Sequence, residues 1–198
     1  DTVEIGGLLT AAAGPLAADD LAHLLAHPNE PAAGQRRQVH EALTNKVARS
    51  IEAIGQPARF QFAHLTLLEH AAAHPALNDS DYRDRIHAWA QSWRNHRWPV
   101  RRGASSTPRH LVETYPTRLL AEADVTPEAD TQHRLSDLAS DFDWVDAAIR
   151  IVGIDPTVAF LHASLQRVPQ EQRNRELLQI VTAASADLRR AVVRGEGT

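Results

Sequence analysis

Between Arg59 and His70 the chain reads R-F-Q-F-A-H-L-T-L-L-E-H, and its hydrophobic period changes halfway. Phe60 and Phe62 alternate with polar Arg59 and Gln61, the pattern of a half-buried strand. From Ala63 onward Leu65, Leu68 and Ala72 recur at helical spacing. A strand must therefore run directly into a helix, with His64 at the joint. Any fold for this chain has to accommodate that junction without an intervening loop.

Upstream, apolar Val3–Ala13 ends at Gly14-Pro15, a helix stop. Ala18–Ala26 forms a second short helix with Asp19 and Asp20 in its first turn, where carboxylates favour the helix dipole. Gln35–Ala48 forms a third, with Val39, Leu43 and Val47 on one stripe. Arg49–Ile54 and Arg59–Phe62 read as two strands around the turn Gly55-Gln56-Pro57-Ala58; residues 49–54 have the third helix as their alternative. Three helices followed by a hairpin is the layout of a winged helix, assigned here to residues 1–76.

Residues 77–198 read as an all-α bundle or arm. Asp79–Arg97 opens with a Ser/Asp cap and carries Tyr82, Ile86, Trp89 and Trp93 on one stripe. Trp98-Pro99 ends it, and Val100–Thr107 is the most linker-like stretch. Thr107 is expected to cap a helix whose first turn holds Pro108, running to Ala123 with a kink at Pro116. Further helices are expected at about 128–139, 141–152, 156–168 and 170–193. Short loops between antiparallel helices favour a bundle, since no fixed-period repeat is present.

Composition removes several function classes. The formal charge of −4 and pI near 6.3 argue against a general polyanion binder. Without Cys there is no disulfide framework, thiolate site or cysteine nucleophile. No apolar run approaches the ~20 residues of a membrane span, and no signal peptide is evident, so a cytoplasmic protein is expected. A chain that starts at Asp1 and has no Met is expected to be a piece of something longer. Lys46 is the only lysine and sits in T-N-K-V-A with no glycine nearby. A phosphate-binding loop needs G-x-x-x-x-G-K-[ST], so this chain holds no such nucleotide site of its own.

The chain has 11 histidines, and His23/His27 and His70/His74 stand at i,i+4 spacing. Neither pair has a third ligand in the pattern zinc requires, so solvated or structural roles are expected and no metal is assigned. On the third helix, Arg36, Arg37, Lys46 and Arg49 could meet DNA if that helix entered a major groove. Against this, the first 75 residues set Asp1, Glu4, Asp19, Asp20, Glu30, Glu41, Glu52 and Glu69 against only Arg36, Arg37, Lys46, Arg49 and Arg59. Trp89, Trp93 and Trp98 lie among arginines, a pattern that can stack single-stranded nucleic acid. Trp89 and Trp93 share a stripe with Tyr82 and Ile86, which favours core packing instead, leaving Arg101 and Arg102 as the freest cations. Ser105 and Ser106 lie near His110, but no orienting acid or oxyanion donor completes a triad. No catalytic residue is assigned.

Two segments read together carry a resemblance. G-L-L-T-A-A-A-G-P-L-A-A-D-D-L-A-H-L-L at 7–25, followed by the junction at 59–70, resembles the winged-helix domain after the nucleotide-binding core of STAND NTPases of the NACHT and apoptotic-ATPase type. The family's F-x-H-x-x-L-x-E pattern falls on Phe62, His64, Leu67 and Glu69. D-Y-R-D-R-I-H-A-W-A-Q-S-W-R-N-H-R-W-P at 81–99 and T-P-R-H-L-V-E-T-Y-P-T-R-L-L at 107–120 are similar to the helical stretch that follows in actinobacterial members. The resemblance spans roughly residues 5–165. It implies a regulatory, non-catalytic region that holds an ADP-bound closed state, with His64 contacting the ADP β-phosphate in the full-length protein. The implied partners are a preceding nucleotide-binding domain, which would bind ADP or ATP, and following sensor repeats or an effector. The competing expectation is a DNA-binding winged-helix regulator with a helical partner domain.

Overall fold

The computed structural model describes residues 2–26, 32–46, 49–100, 106–125, 128–168 and 172–195, without the side chains of 32–34, 46 and 186–195. The protein is mainly helical, with a small antiparallel sheet. It divides into two compact units, Asp1–Asn95 and His96–Thr198.

The first unit is built on helix α1 (Thr2–Ala12). Ile5, Leu8, Leu9 and Ala12 are each at most 1 % exposed, and burial continues through Gly7, Thr10 and Ala11. A helix covered on nearly every side is central rather than amphipathic, and α1 touches α2, α4 and α5. It ends where Ala13 takes φ 50°, with Gly14-Pro15 beyond. Strand β1 (Leu16–Ala17) follows, a two-residue element absent from the sequence reading. Helix α2 (Ala18–Leu24) starts with the Asp20 carboxylate accepting the Ala17 N–H at 3.0 Å. This is half a capping box, because Ala17 has no side-chain acceptor for the reciprocal bond.

Helix α3 (Ala32–Glu41) packs on α2 and passes into a π-helical turn at Ala42–Lys46. The expected helix to Ala48 thus changes its winding at Glu41. The Thr44 hydroxyl donates back to the His40 and Glu41 carbonyls at 2.8 and 3.3 Å, competing with the regular backbone ladder. Val47 and Ala48 lie outside the described residues. The expected hairpin forms from β2 (Ile51–Ile54) and β3 (Arg59–Phe62), with Ile51 opposite Phe62 and Ile54 opposite Arg59; β2 starts two residues later than expected, Arg49 and Ser50 lying in a turn. Gly55 opens its turn at φ 72°, a conformation glycine adopts without strain. Strand β1 pairs antiparallel on the other edge of β3, giving the order β1-β3-β2.

Helix α4 (Leu65–Ala73) follows β3, and α5 (Ser80–Asn95) closes the unit against α1. The boundary between the two compact units falls after α5. Tyr82, Ile86 and Trp89 are buried and Trp93 is half-buried, so the expected stripe forms. Gly7 permits the close approach: a Cβ there would stand 2.2 Å from Tyr82 Cε2.

In the second unit, α6 (Arg109–Glu113) and α7 (Tyr115–Val125) replace the single kinked helix expected from Pro108. Pro116 falls in the first turn of α7, where a missing N–H does no harm. Thr107 does not cap α6; both its N–H and its hydroxyl donate to the Pro99 carbonyl, at 2.8 and 3.0 Å. Helices α8 (Ala129–Ala139), α9 (Phe142–Ile151), α10 (Ile154–Arg167) and α11 (Gln172–Gly195) follow within two residues of expectation. Helix α10 is the hub, packing on α7, α8, α9 and α11. Trp144 of α9 meets Phe160 of α10 edge-on at 5.0 Å and donates its indole N–H to the Leu111 carbonyl at 3.2 Å. Arg167 grips Asp124 with two bonds of 2.8 and 2.6 Å, tying the end of α10 to α7. Among the described residues no helix is long and apolar enough to cross a membrane.

Candidate functional site

The strand-to-helix junction is stereochemically sharp. The Ala63 N–H still donates to the Ser50 carbonyl at 3.0 Å, extending the ladder past Phe62. One residue later His64 sits at φ −139°, ψ 143°, extended backbone that acts as the N-cap of α4. Its carbonyl accepts from the Leu67 N–H at 3.0 Å and, more weakly, from Leu68 at 3.4 Å. Its imidazole makes no capping bond and is exposed. The first-turn N–H groups of a helix lack intrahelical acceptors and carry the positive end of its dipole. An exposed imidazole at that end adds a donor, one that strengthens if charged. The arrangement is suited to a phosphate-like anion presented from outside.

The surroundings of His64 include exposed apolar groups beside the polar Thr66, Glu69 and His70. Leu65, the next residue, is 70 % exposed. Helix α4 buries Ala71 alone, leaves Leu67 and Leu68 half-covered, and exposes Ala72 and Ala73. The apolar residues at helical spacing, Leu65, Leu68 and Ala72, are therefore largely uncovered. Across the hairpin, Gln61 donates to Glu52 at 2.8 Å, fixing the register beside the junction.

The basic residues of α3 sit on a different element. Gln35 and Val39 face inward while Arg36 and Arg37 are exposed. Arg36 Nε pairs with Asp19 Oδ1 at 3.0 Å, and both side chains are open to solvent, so the pair contributes about 0–1 kcal/mol and is screened by salt. Arg49 is exposed in the turn before β2, and the Lys46 side chain lies outside the described residues. A carboxylate beside the leading arginine lowers the positive potential that a phosphate backbone would need.

The other sequence candidates disperse. Trp89 and Trp98 are 4 % and 2 % exposed and present no open stacking face. Arg85 is engaged with Asp81 and Glu4 at 2.8 and 3.5 Å, and Arg97 with Asp143 at 2.8 Å. Arg101, Arg102 and Ser105 lie outside the described residues, and His110 is buried. His70 and His74 are exposed on α4, while His27 lies outside the described residues. Among the described residues no group of three or more His, Cys, Asp or Glu could hold a metal ion. In the second unit a cleft of about 180 Å³ opens over Trp144, Thr157 and Phe160, with Arg109 and Glu113 at its edge. These two residues pair with each other at 2.7 Å.

Two features escaped the sequence reading. Burial pushes the Asp20 carboxyl up to about 6, against the Ala17 N–H bond that favours its charged form. The aspartate at the third position of α2 was the visible signal for that bond. Asp141 caps α9 and also accepts from the Trp98 indole at 2.9 Å, a pairing across 43 residues that carries no local signal. Comparison of the chain with protein-family models, with curated proteins and with solved structures finds no match.

Proposed function

We propose that this chain is the regulatory, non-catalytic region of a STAND-type signal-transduction NTPase. Residues of the first unit form its winged helix, which holds the ADP-bound closed state. The second unit is a helical arm that relays the state of sensor repeats or an effector. ADP and ATP are bound by a nucleotide-binding domain elsewhere in the full-length protein, and His64 reaches the ADP phosphate from this side.

The observation that carries the reading is the order of the first unit. Helix, short strand, two helices and a hairpin assemble a sheet of order β1-β3-β2, with the exposed turn Gly55–Ala58 as the wing. This supports a winged helix. The exposed, uncapped His64 and the uncovered apolar face of α4 are consistent with a surface that meets another domain. Loss of the His64 contact would release the winged helix as a rigid body, a bistable change rather than a graded one.

The test is basal signalling of the full-length protein. His64→Ala is expected to raise it without agonist, because the contact that stabilises the closed state is gone. Unchanged basal output in a folded His64→Ala protein would remove the sensor role from His64.

A further inference from the structure

Arg97 and Trp98 lie just past the end of α5, after His96, and both have positive φ, 61° and 47°. Two consecutive non-glycine residues in the left-handed region are strained, because Cβ crowds the backbone carbonyl. Trp98 also precedes Pro99, which narrows its backbone further. Such a conformation persists only where its surroundings hold it.

The holding contacts are specific. Trp98 is 2 % exposed, and its indole N–H donates to Asp141 Oδ2 at 2.9 Å. The other oxygen of that carboxylate caps α9, accepting from the N–H groups of Asp143 and Trp144 at 3.0 and 3.3 Å. Arg97 grips Asp143 through Nε at 2.8 Å and Nη2 at 3.4 Å. Pro99 is held by the two donors of Thr107.

We propose that Arg97–Trp98 is a two-state latch that decides where α5 ends. In the closed state both residues are left-handed, the indole is seated on Asp141, and α5 stops at Asn95. In the open state the backbone strain is released. Arg97 returns to the right-handed region, α5 continues through His96 to Arg97, and Trp98 leaves its site. Pro99 prevents any longer extension, since the residue before proline avoids the helical region. The closed state trades backbone strain for the start-of-α9 contacts, which makes its population sensitive to either term.

The experiment uses the 198-residue chain and compares Arg97→Ala with Arg97→Gly. Both lose the ion pair on Asp143, and Arg97 is exposed enough that neither threatens the fold. Alanine keeps the strain of a positive φ, whereas glycine removes it and disfavours the extended helix. Arg97→Ala is expected to speed hydrogen exchange at the Trp98 indole and the Thr107 amide several-fold and to move the Cα shifts of residues 96 and 97 toward helix. Exchange in Arg97→Gly is expected to be about tenfold slower than in Arg97→Ala, as the strain difference implies. Asp141→Asn retains a good cap but weakens the indole acceptor, and is expected to behave like Arg97→Ala. Equal exchange in the alanine and glycine variants, or no helical shift in Arg97→Ala, would overturn the latch.

Discussion

Replacing Gly7 by alanine puts a methyl group where an aromatic ring already stands. The new Cβ would lie 2.2 Å from Tyr82 Cε2 and 2.5 Å from both Cδ2 and Cζ. Normal carbon–carbon contact is about 3.5–4.0 Å, so ring or helix must move by more than an ångström. The ring is poorly placed to yield. Tyr82 is 9 % exposed, and Arg85 lies 5.7 Å over it while tied to Asp81 and Glu4. Overpacking of this kind costs about 1–3 kcal/mol, and the size of the overlap places this site at the upper end. Alanine recovers about 1 kcal/mol of helix propensity over glycine. The net expectation is a destabilisation of the first unit by about 2 kcal/mol, roughly a 30-fold rise in its opening constant. Native-state hydrogen exchange of the α1 and α5 amides reads this locally. Gly6→Ala is the internal control, since its Cβ would meet the end of the Leu77 side chain, Cδ2 at 3.1 Å and Cδ1 at 4.0 Å; it should be neutral or mildly stabilising. In a Tyr82→Ala background, Gly7→Ala should also become stabilising, because only the propensity term survives. Gly7→Ala alone at or above the stability of the unsubstituted protein would refute the packing argument.

Two further outcomes follow from the same unit. Asp20 has its folded pKa raised from 3.8 to about 6 by burial, so the folded state holds this proton more tightly than the unfolded chain. Stability of the first unit should therefore fall as pH rises from about 4 to about 6 and level off above. Denaturant midpoints across that range should show the fall, and Asp20→Asn should flatten it; an unchanged slope in Asp20→Asn would assign it to other groups. On the α3 face, the chain should give no salt-dependent gel shift with duplex DNA, and Arg36→Ala/Arg37→Ala/Arg49→Ala should behave identically. A shift abolished by the triple substitution would favour the DNA-binding regulator instead.

The parts of the fold legible in the sequence are those written in periodicity. The hairpin and the β3-to-α4 junction follow from the switch of period at Ala63, and α1 and α5 from their apolar patterns and flanking breakers. The two-residue strand β1 was illegible because two residues carry no period; it exists because β3 offers an open edge to Leu16 and Ala17. Helix α5 was expected to reach Arg97 because its local propensity continues. It stops at Asn95, and Asp143 and Asp141, more than 40 residues later, hold the side chains of Arg97 and Trp98 just beyond its end. Thr107 resembled a helix cap, but the Pro99 carbonyl competes for its hydroxyl. For the candidate site, the position of His64 was legible as a joint between periods. That its imidazole is exposed, and that α4 leaves most of its apolar stripe uncovered, depends on what the rest of the unit fails to cover. A hydrophobic pattern alone cannot express that.

The most direct measurement on the regulatory reading is the rate of ADP release from the complete gene product, compared with its His64→Ala variant. The unsubstituted protein is expected to retain ADP through purification and His64→Ala to release it at least several-fold faster, while the fold of the first unit, followed by α1 and α5 amide exchange, is unchanged. A complete protein that binds no ADP would contradict the regulatory reading. Retention of ADP at the same rate in both proteins would contradict the contact assigned to His64.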